Sequence, residues 1–464
     1  MSLTIYRTRR VKCDEGKPFC VRCLKFGADC EGYESGGQRD GSITSSMKEA
    51  SSRNDNRQAL LLPSFAKLPF TVVFHDNQQY SYFLYFQERA ALEIAGAFDR
   101  NLWNHVIIRD SWNEQSLCRL AASLGALCKA RGAKALNLSK EEIDSHEQYA
   151  LQQYGRALKS VQAKISANQS RDTTRIALIA SLLIYGFENI YGDLALALEH
   201  LEGALQLMHK QLAQAHRHYE HSENKSPTSS LDDDLVAAYF RLDSGLLSRD
   251  VLDDREYFGS RLGINYLQKN CSIPKRFSTV SEARNCLESI QFPTIPNLSR
   301  DLAIQINKWP WPGSIDEKSR DLYTTMSSQL HQWMVAFMPL YTEIITLHTS
   351  DSIAATTLRV RALSTELASQ RVCATEPSSS HLLNTMSHEL VDLSKRVAAD
   401  SSFVKSFVWD CGIVPGLSIV MASCTDMCIQ KEALQLLKQI VPRREGVWDS
   451  LTAVKFGERC LQLE

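Results

Sequence analysis

An all-α architecture, with a large helical body behind a small cysteine-rich module, is what this sequence predicts, and three observations carry it. Apolar residues through most of the chain recur at intervals of three and four, which lays them along one face of a helix. Few segments alternate apolar and polar residues as half-buried strands do. Residues 1–33 gather four of the thirteen cysteines and a basic run into a segment with little apolar content.

The bulk numbers bound the answer. A chain of 464 residues with 44% apolar and 23% charged side chains has the composition of a soluble globular protein and can bury a large core in two or three units. The longest apolar run, Ile176 to Phe187, is shorter than the roughly 20 residues a membrane helix needs. The opening "MSLTIYRTRR" lacks the apolar core of a signal peptide. The expectation is a protein that is neither secreted nor membrane-spanning. Formal net charge is only −1, yet Arg7, Arg9, Arg10, Lys12, Lys17, Arg22 and Lys25 face only Asp14 and Glu15 in the same stretch, a local excess of five positive charges. A basic patch on a neutral protein points to a dedicated anion-binding module.

From Glu34 to about Gln58 almost nothing is apolar, so residues 34–64 read as a flexible linker, with no heptad pattern for a coiled-coil stalk. The body, 65–464, is helical throughout. Helical spacing marks stretches around 78–95, 116–130, 174–190, 280–290, 320–370, 380–398 and 430–440. Ser139 followed by Glu142 has the form of a capping box opening a helix to about Ile165. Leu194, Leu198, Leu201, Leu205 and Met208 share one face of a helix capped by Asp193, and Leu235, Ala238, Tyr239, Leu242 and Leu246 share another. His216 to Asp234 reads as a polar loop, in which His216, His218 and His221 are solvated rather than metal-bound. The aromatic cluster Tyr80, Tyr82, Phe83, Tyr85 and Phe86 reads as core rather than a ligand pocket. "PRREGVWD", Pro442 to Asp449, reads as a charged turn whose Arg443, Arg444 and Glu445 fix a corner through ion pairs.

The cysteines divide into two kinds. An odd number and no export signal argue against a disulfide framework. Cys118, Cys128, Cys271, Cys286, Cys373, Cys411, Cys424, Cys428 and Cys460 lie mostly inside apolar helical patterns and read as small buried hydrophobes. Cys13, Cys20, Cys23 and Cys30 are different, with six, two and six residues between them. A two-residue gap lets both thiolates reach one tetrahedral ion, and the neighbouring cations favour the thiolate form. Zinc suits an all-sulfur ligand set, and binding it supplies the folding energy that so polar a segment lacks.

The stretch "RTRRVKCDEGKPFCVRCLKFGADCEGY" resembles the fungal zinc binuclear cluster, the Zn2Cys6 family of transcription factors. By that resemblance Cys13, Cys20, Cys23 and Cys30 correspond to the third to sixth cysteines of a two-zinc cluster, and Pro18 lies in the loop between its halves. The first two cysteines would fall at Leu3 and Tyr6, where "LTIY" stands in place of Cys-x-x-Cys. Two expectations follow: an upstream exon supplies the missing pair, or the cluster has decayed to one half. The body also resembles the regulatory domain of fungal-specific transcription factors, in stretches such as "YFLYFQERAALEIAGAFDRNLWNHVI" and "IALIASLLIYGFENIYGDLALALEHLEGALQLM". Relatives continue past a helix like the one ending in "ERCLQLE", so the carboxyl end is expected to extend further.

The resemblance implies a nuclear, sequence-specific regulator of RNA polymerase II genes, in a secondary-metabolite or nutrient pathway. A zinc-clamped helix would set "RTRRVK" into the major groove of double-stranded DNA at CGG-like half-sites. Arg9 and Arg10 would take base edges, while Arg7, Lys12, Lys17, Arg22 and Lys25 would hold phosphates. The implied partners are DNA, a second copy or a related factor, and the transcription machinery. The alternative is a non-DNA-binding interaction protein with a degenerate cluster. Catalysis is not expected, since the sequence has no Gly-rich phosphate loop, nucleophile elbow or His-Glu-x-x-His motif.

Overall fold

The computed structural model describes residues 72–167, 170–219, 232–249, 272–307, 315–374 and 380–462. The chain divides into two units, Met1–Leu68 and Pro69–Glu464, and every described residue belongs to the second. That unit is all-α, as the periodicity predicts.

In chain order the first helices are α1 (Asn77–Tyr85), a π-helical turn (Phe86–Ala90), α2 (Ala91–Ala95), a second π-turn (Leu102–Val106) and α3 (Ile107–Asn113). Four long helices follow: α4 (Gln115–Ala135), α5 (Lys140–Ala167), α6 (Arg171–Tyr191) and α7 (Leu194–Tyr219). Then come α8 (Asp233–Arg249), α9 (Val280–Gln291), α10 (Ile295–Asn307), α11 (Glu317–Thr346), α12 (Ser352–Cys373) and α13 (Ser380–Ala399). The last segment holds β1 (Phe407–Val408), α14 (Val414–Ser423), α15 (Met427–Ile440), β2 (Arg444–Glu445), β3 (Trp448–Asp449) and α16 (Ser450–Gln462).

The caps expected from sequence are present. The Ser139 hydroxyl accepts from the Glu142 amide at 3.3 Å at the start of α5, and Asp193 Oδ1 accepts from the Leu196 amide at 3.0 Å at the start of α7. An unmet amide in a first helical turn costs about 1 kcal/mol. Asp193→Ala is therefore expected to lower stability by about that amount, read as a lower urea midpoint with an unchanged slope.

Two hydrophobic clusters form the core. The first contains Phe83, Phe86, Trp103, Leu124, Tyr185 and Tyr239 and extends to Trp409, Leu417 and Val447. The second contains Phe277, Leu287, Leu302, Tyr323, Trp333 and Phe337. Helix α12 belongs to both: Val360 and Leu367 enter the first cluster, while Leu358, Ala362 and Ala368 enter the second. A helix buried on opposite faces has no amphipathic stripe.

The strands are only two residues each but join distant parts of the chain. β1 pairs parallel with β2, and β2 pairs antiparallel with β3. The Trp409 amide donates to the Ile94 carbonyl at 2.7 Å, and the Tyr185 hydroxyl donates to the Gly446 carbonyl at 2.9 Å.

Several expectations need correction. The stretch 320–370 is two helices, separated where His348 takes φ +49° and the Thr349 amide turns back to the Ile344 carbonyl. No glycine or proline marks that turn, so spacing alone ran through it. The expected loop at His216–Asp234 is shorter, because α7 continues to Tyr219 and α8 starts at Asp233. Polar residues continue a helix as readily as they form a loop once the preceding turns are in place. Helices α3, α10, α14 and α16 fall outside the stretches marked by spacing. Of the nine cysteines read as buried, Cys428 is exposed and Cys271 lies outside the described residues, while the other seven are buried or half-buried. Cys428 occupies the first turn of α15, away from its apolar face.

Of the aromatic cluster, Phe83 and Phe86 are fully buried in the core and Tyr82 nearly so, while Tyr80 and Tyr85 are half-buried. The ion pairs expected at Pro442–Asp449 are present: Arg443 Nε to Glu445 Oε1 at 2.5 Å, and Arg444 Nε to Asp449 Oδ1 at 3.4 Å.

Candidate functional site

The sequence-predicted zinc ligands Cys13, Cys20, Cys23 and Cys30 lie outside the described residues, as do Arg7, Arg9, Arg10, Lys12, Lys17, Arg22 and Lys25. Among the described residues no three His, Cys, Asp or Glu side chains are grouped to hold a metal ion. No described helix is long and apolar enough to cross a membrane. The described residues instead form a buried site of another kind.

Six charged side chains meet where the two core clusters adjoin. Arg241 comes from α8, Arg284 and Glu288 from α9, Arg361 from α12, Asp99 from the turn after α2, and Asp410 from the segment after β1. Their side chains are between 5% and 16% exposed. Arg284 is the hub: Nη1 donates to Asp99 Oδ1 at 3.0 Å, Nε to Glu288 Oε1 at 3.0 Å, and Nη2 to Asp410 Oδ1 at 3.1 Å. Arg241 donates to Asp99 at 2.9 Å and to Glu288 at 3.0 Å. Arg361 is held more loosely, 3.4 Å from Glu288, 3.5 Å from Gln291 and 3.8 Å from Asp410.

The electrostatics separate the three acids. Burial pushes every one of them toward the neutral form, because a desolvated carboxylate is costly. At Glu288 the three guanidinium groups overcome burial and hold its carboxyl well below the usual range. At Asp99 burial is likewise outweighed, by Arg284 and Arg241. At Asp410 burial wins, and the attraction of Arg284 and Arg361 does not cancel it, so its carboxyl titrates above the ordinary range. Its Oδ1 takes the arginine contacts, whereas Oδ2 is buried with no hydrogen-bond partner. The neighbouring Cys411 thiol is pushed up to about 12, chiefly by burial and then by Asp410, and it stays protonated.

Two cavities flank the segment Asp410–Gly412, which lines both. One, of about 130 Å³, lies among α8, the α9–α10 turn, α12 and the β2–β3 turn. The other, of about 280 Å³, lies beside Leu92, Phe98, Ile353, Phe403 and Val408. Glu445, fully buried, fixes the segment between them: its Oε2 accepts from the amides of Gly412 at 2.8 Å and Val414 at 2.9 Å. A Cβ at residue 412 would stand 2.7 Å from Glu445 Oε1, so this close approach requires glycine. None of the aromatic residues at 80–86 lines either cavity.

Sequence reasoning passed over this cluster. Arg284 and Glu288 sit at i and i+4 on an otherwise apolar helical face, a local signal that was available. The pairing of Arg284 with Asp99, 185 positions away, leaves no local trace.

Comparison with known proteins adds what the described residues do not hold. Residues 7–39 match the fungal Zn(2)-Cys(6) binuclear cluster domain, and residues 81–241 match the fungal specific transcription factor domain. The transcription regulator lscL of Purpureocillium lilacinum is 23% identical over 212 residues, 44% of this chain and 48% of that protein. The transcriptional regulatory protein moc3 of Schizosaccharomyces pombe is 63% identical over 27 residues, 6% of this chain and 5% of that protein. The matched stretch thus spans about half the length of the first relative and a small part of the second. No solved structure matches the chain.

Proposed function

We propose, from its matched segments 7–39 and 81–241, that this chain is a fungal zinc-cluster transcription factor that regulates RNA polymerase II genes by binding specific DNA sites. The observation that carries the reading is the segment 7–39, in which the basic run "RTRRVK" leads directly into Cys13, Cys20, Cys23 and Cys30. The proposed organisation is a DNA-binding module at 1–33, a linker at 34–64 and a helical regulatory body at 65–464.

The donor set fits the metal. Four thiolates suit a tetrahedral zinc ion, and they are four of the six that the family's two-zinc cluster uses. Bound zinc would supply the fold that this polar segment cannot reach by burying apolar surface. Arg9 and Arg10 are assigned to the guanine edges of CGG-like half-sites, since a guanidinium pairs bidentately with one guanine. Arg7, Lys12, Lys17, Arg22 and Lys25 are assigned to phosphates, which position the module without reading sequence. The same basic run serves as a nuclear import signal, and a second copy or a related factor would supply the other half-site contact. The target belongs to a secondary-metabolite or nutrient pathway.

Binding of the full-length chain to CGG-containing duplexes, with zinc content measured in parallel, tests the reading. Arg10→Ala is expected to reduce discrimination against a substituted guanine by about 1–3 kcal/mol. Lys25→Ala is expected to weaken all duplexes alike and to lower the salt slope by about one. Equal effects of the two substitutions would contradict the assignment. Leu3 and Tyr6, at the positions of the family's first two cysteines, support a second reading, a regulatory interaction protein that does not bind DNA. One bound zinc or none per chain, with no preference for CGG duplexes, would favour it.

A further inference from the structure

The larger cavity, of about 280 Å³, is walled by Ala97, Phe98, Ile353, Val397, Phe403 and Val408. The exposed side chains of Glu93, Arg100 and Asp351 complete its lining on the solvent side. An apolar cavity of about 150 Å³ takes up benzene, so this one has room for a body of two fused rings. The charges at its mouth are of both signs and stand in water, so the selection of an occupant falls to the buried groups.

The buried charges that line the cavity already have counter-ions. Arg443, 7% exposed, donates through Nε to Glu445 Oε1 at 2.5 Å and through Nη1 to the Val404 carbonyl, and the fully buried Glu445 balances its charge. Asp410, 8% exposed, is held on Oδ1 by Arg284 at 3.1 Å, while its Oδ2 is enclosed by protein. The two rings in the wall carry a guanidinium each: Arg284 lies 4.7 Å from the Phe98 centroid, and Arg443 lies 4.1 Å from that of Phe403. A ring attracts a cation by its negative face, and these rings already hold one apiece. An ion entering this space would leave water without gaining a counter-ion, which is costly. One neutral polar group stays open. Thr357 on α12 is 5% exposed and lines the cavity, and, unlike Thr356, whose hydroxyl donates to the Ser352 carbonyl at 2.7 Å, it makes no side-chain hydrogen bond among the described residues. A buried hydroxyl normally has a partner.

We propose that this cavity binds an uncharged small molecule, its apolar body against Phe98, Ile353, Val397 and Phe403 and a single hydroxyl or carbonyl group on Thr357. A carboxylate or an ammonium group would find no counter-ion inside, and a pure hydrocarbon would leave the Thr357 hydroxyl without a partner. The wall is drawn from both core clusters: Val397 belongs to the first and Ala354 to the second, with Phe403 packed against the first and Phe98 against the second. Occupancy therefore ties the two clusters together. The site does not depend on the zinc-cluster reading, because all of its residues lie in the helical body.

2-Naphthol, 2-naphthoate and 2-naphthylmethylammonium share a two-ring body and differ in charge at neutral pH, and their binding to the full-length chain by ligand-observed NMR is the test. 2-Naphthol is expected to bind saturably and roughly tenfold or more tightly than either ion, as the cost of enclosing an unpaired charge requires. Thr357→Val keeps the shape of the wall and removes its hydroxyl, so it should weaken 2-naphthol roughly two- to tenfold, the loss of one hydrogen bond. Ala97→Leu, which fills the cavity from a half-buried position and keeps every charge, should abolish 2-naphthol binding. Circular dichroism on each variant establishes that it is folded. If Ala97→Leu does not fold, the comparison of the three probes and the Thr357→Val variant still decide. The proposal is overturned if either ion binds as tightly as 2-naphthol, if Thr357→Val or a folded Ala97→Leu leaves 2-naphthol binding unchanged, or if no probe binds saturably.

Discussion

Arg284→Met is expected to destabilise the helical body by about 3–5 kcal/mol in chemical denaturation, because removing one partner of a buried ion cluster strands the others. Arg284 is 5% exposed at its side chain and contacts Asp99, Glu288 and Asp410 at once. Methionine fills similar volume, so the loss is electrostatic rather than a cavity effect. Arg241 and Arg361 remain but cannot reach all three acids: Arg241 serves Asp99 and Glu288, and Arg361 stays 3.8 Å from Asp410. Some of the cost will be recovered at low pH, where protonation removes the stranded negative charge. The matched control is Arg276→Met, whose pair with Glu343 is more than half exposed on both sides. That change is expected to stay within about 0.5 kcal/mol, as exposed pairs do. Comparable losses for the two variants would mean that the buried cluster adds nothing to stability.

Gly125→Ala is expected to lower stability by about 3 kcal/mol, against the direction that helix propensity gives. Within a helix, alanine is favoured over glycine by up to about 1 kcal/mol. Gly125 lies in the middle of α4, however, where a Cβ would stand 2.2 Å from the Tyr82 carbonyl oxygen and 3.0 Å from the Phe86 amide nitrogen. Both are backbone atoms of the neighbouring helical segment, so α1 and the π-turn must move as a unit to make room. Gly203, in α7, has nothing within 4 Å of the corresponding position, and Gly203→Ala should stabilise by up to about 1 kcal/mol. Opposite signs for the two glycines, read from urea midpoints, are the expected result; a shared sign would refute the close packing of α4 on α1.

A wet face made α7 legible in the sequence, but it is not a sufficient signal, since α16 has one and was passed over, while α4 and α6 were found although nearly enclosed. Leu201, Leu205 and Met208 are buried on one side of α7 with Glu202 and Gly203 exposed on the other, so spacing locates the helix. α14 is apolar nearly all round, and it left no period to read. α12 was found only as part of a longer stretch, because burial of Val360 on one face and Leu358 on another removes the stripe that would set its limits. The caps at Ser139 and Asp193 were legible because a cap is a local bond. The charge cluster was not, since Asp99, Arg241, Arg284, Arg361 and Asp410 meet only after the chain has folded. The cysteines proposed as zinc ligands and the basic run, by contrast, are marked by close spacing in the sequence and lie outside the described residues.

The joint that links Ile94, Trp409 and Gly446 bears on the order in which this protein can assemble. Its bonds run between segments far apart in the chain, as with Tyr185 and Gly446, 261 positions apart. Pairings of that span form late, after the local helices, because a long loop must close first. During synthesis α1 to α13 leave the ribosome with neither Asp410 nor Trp448 to meet them. Arg284 and Arg241 must then wait beside Asp99 and Glu288 without the sixth charge of their cluster. The cavity of about 130 Å³, walled on one side by Trp448, comes into being only with the last segment, so a nascent chain can hold helices well before it encloses that space.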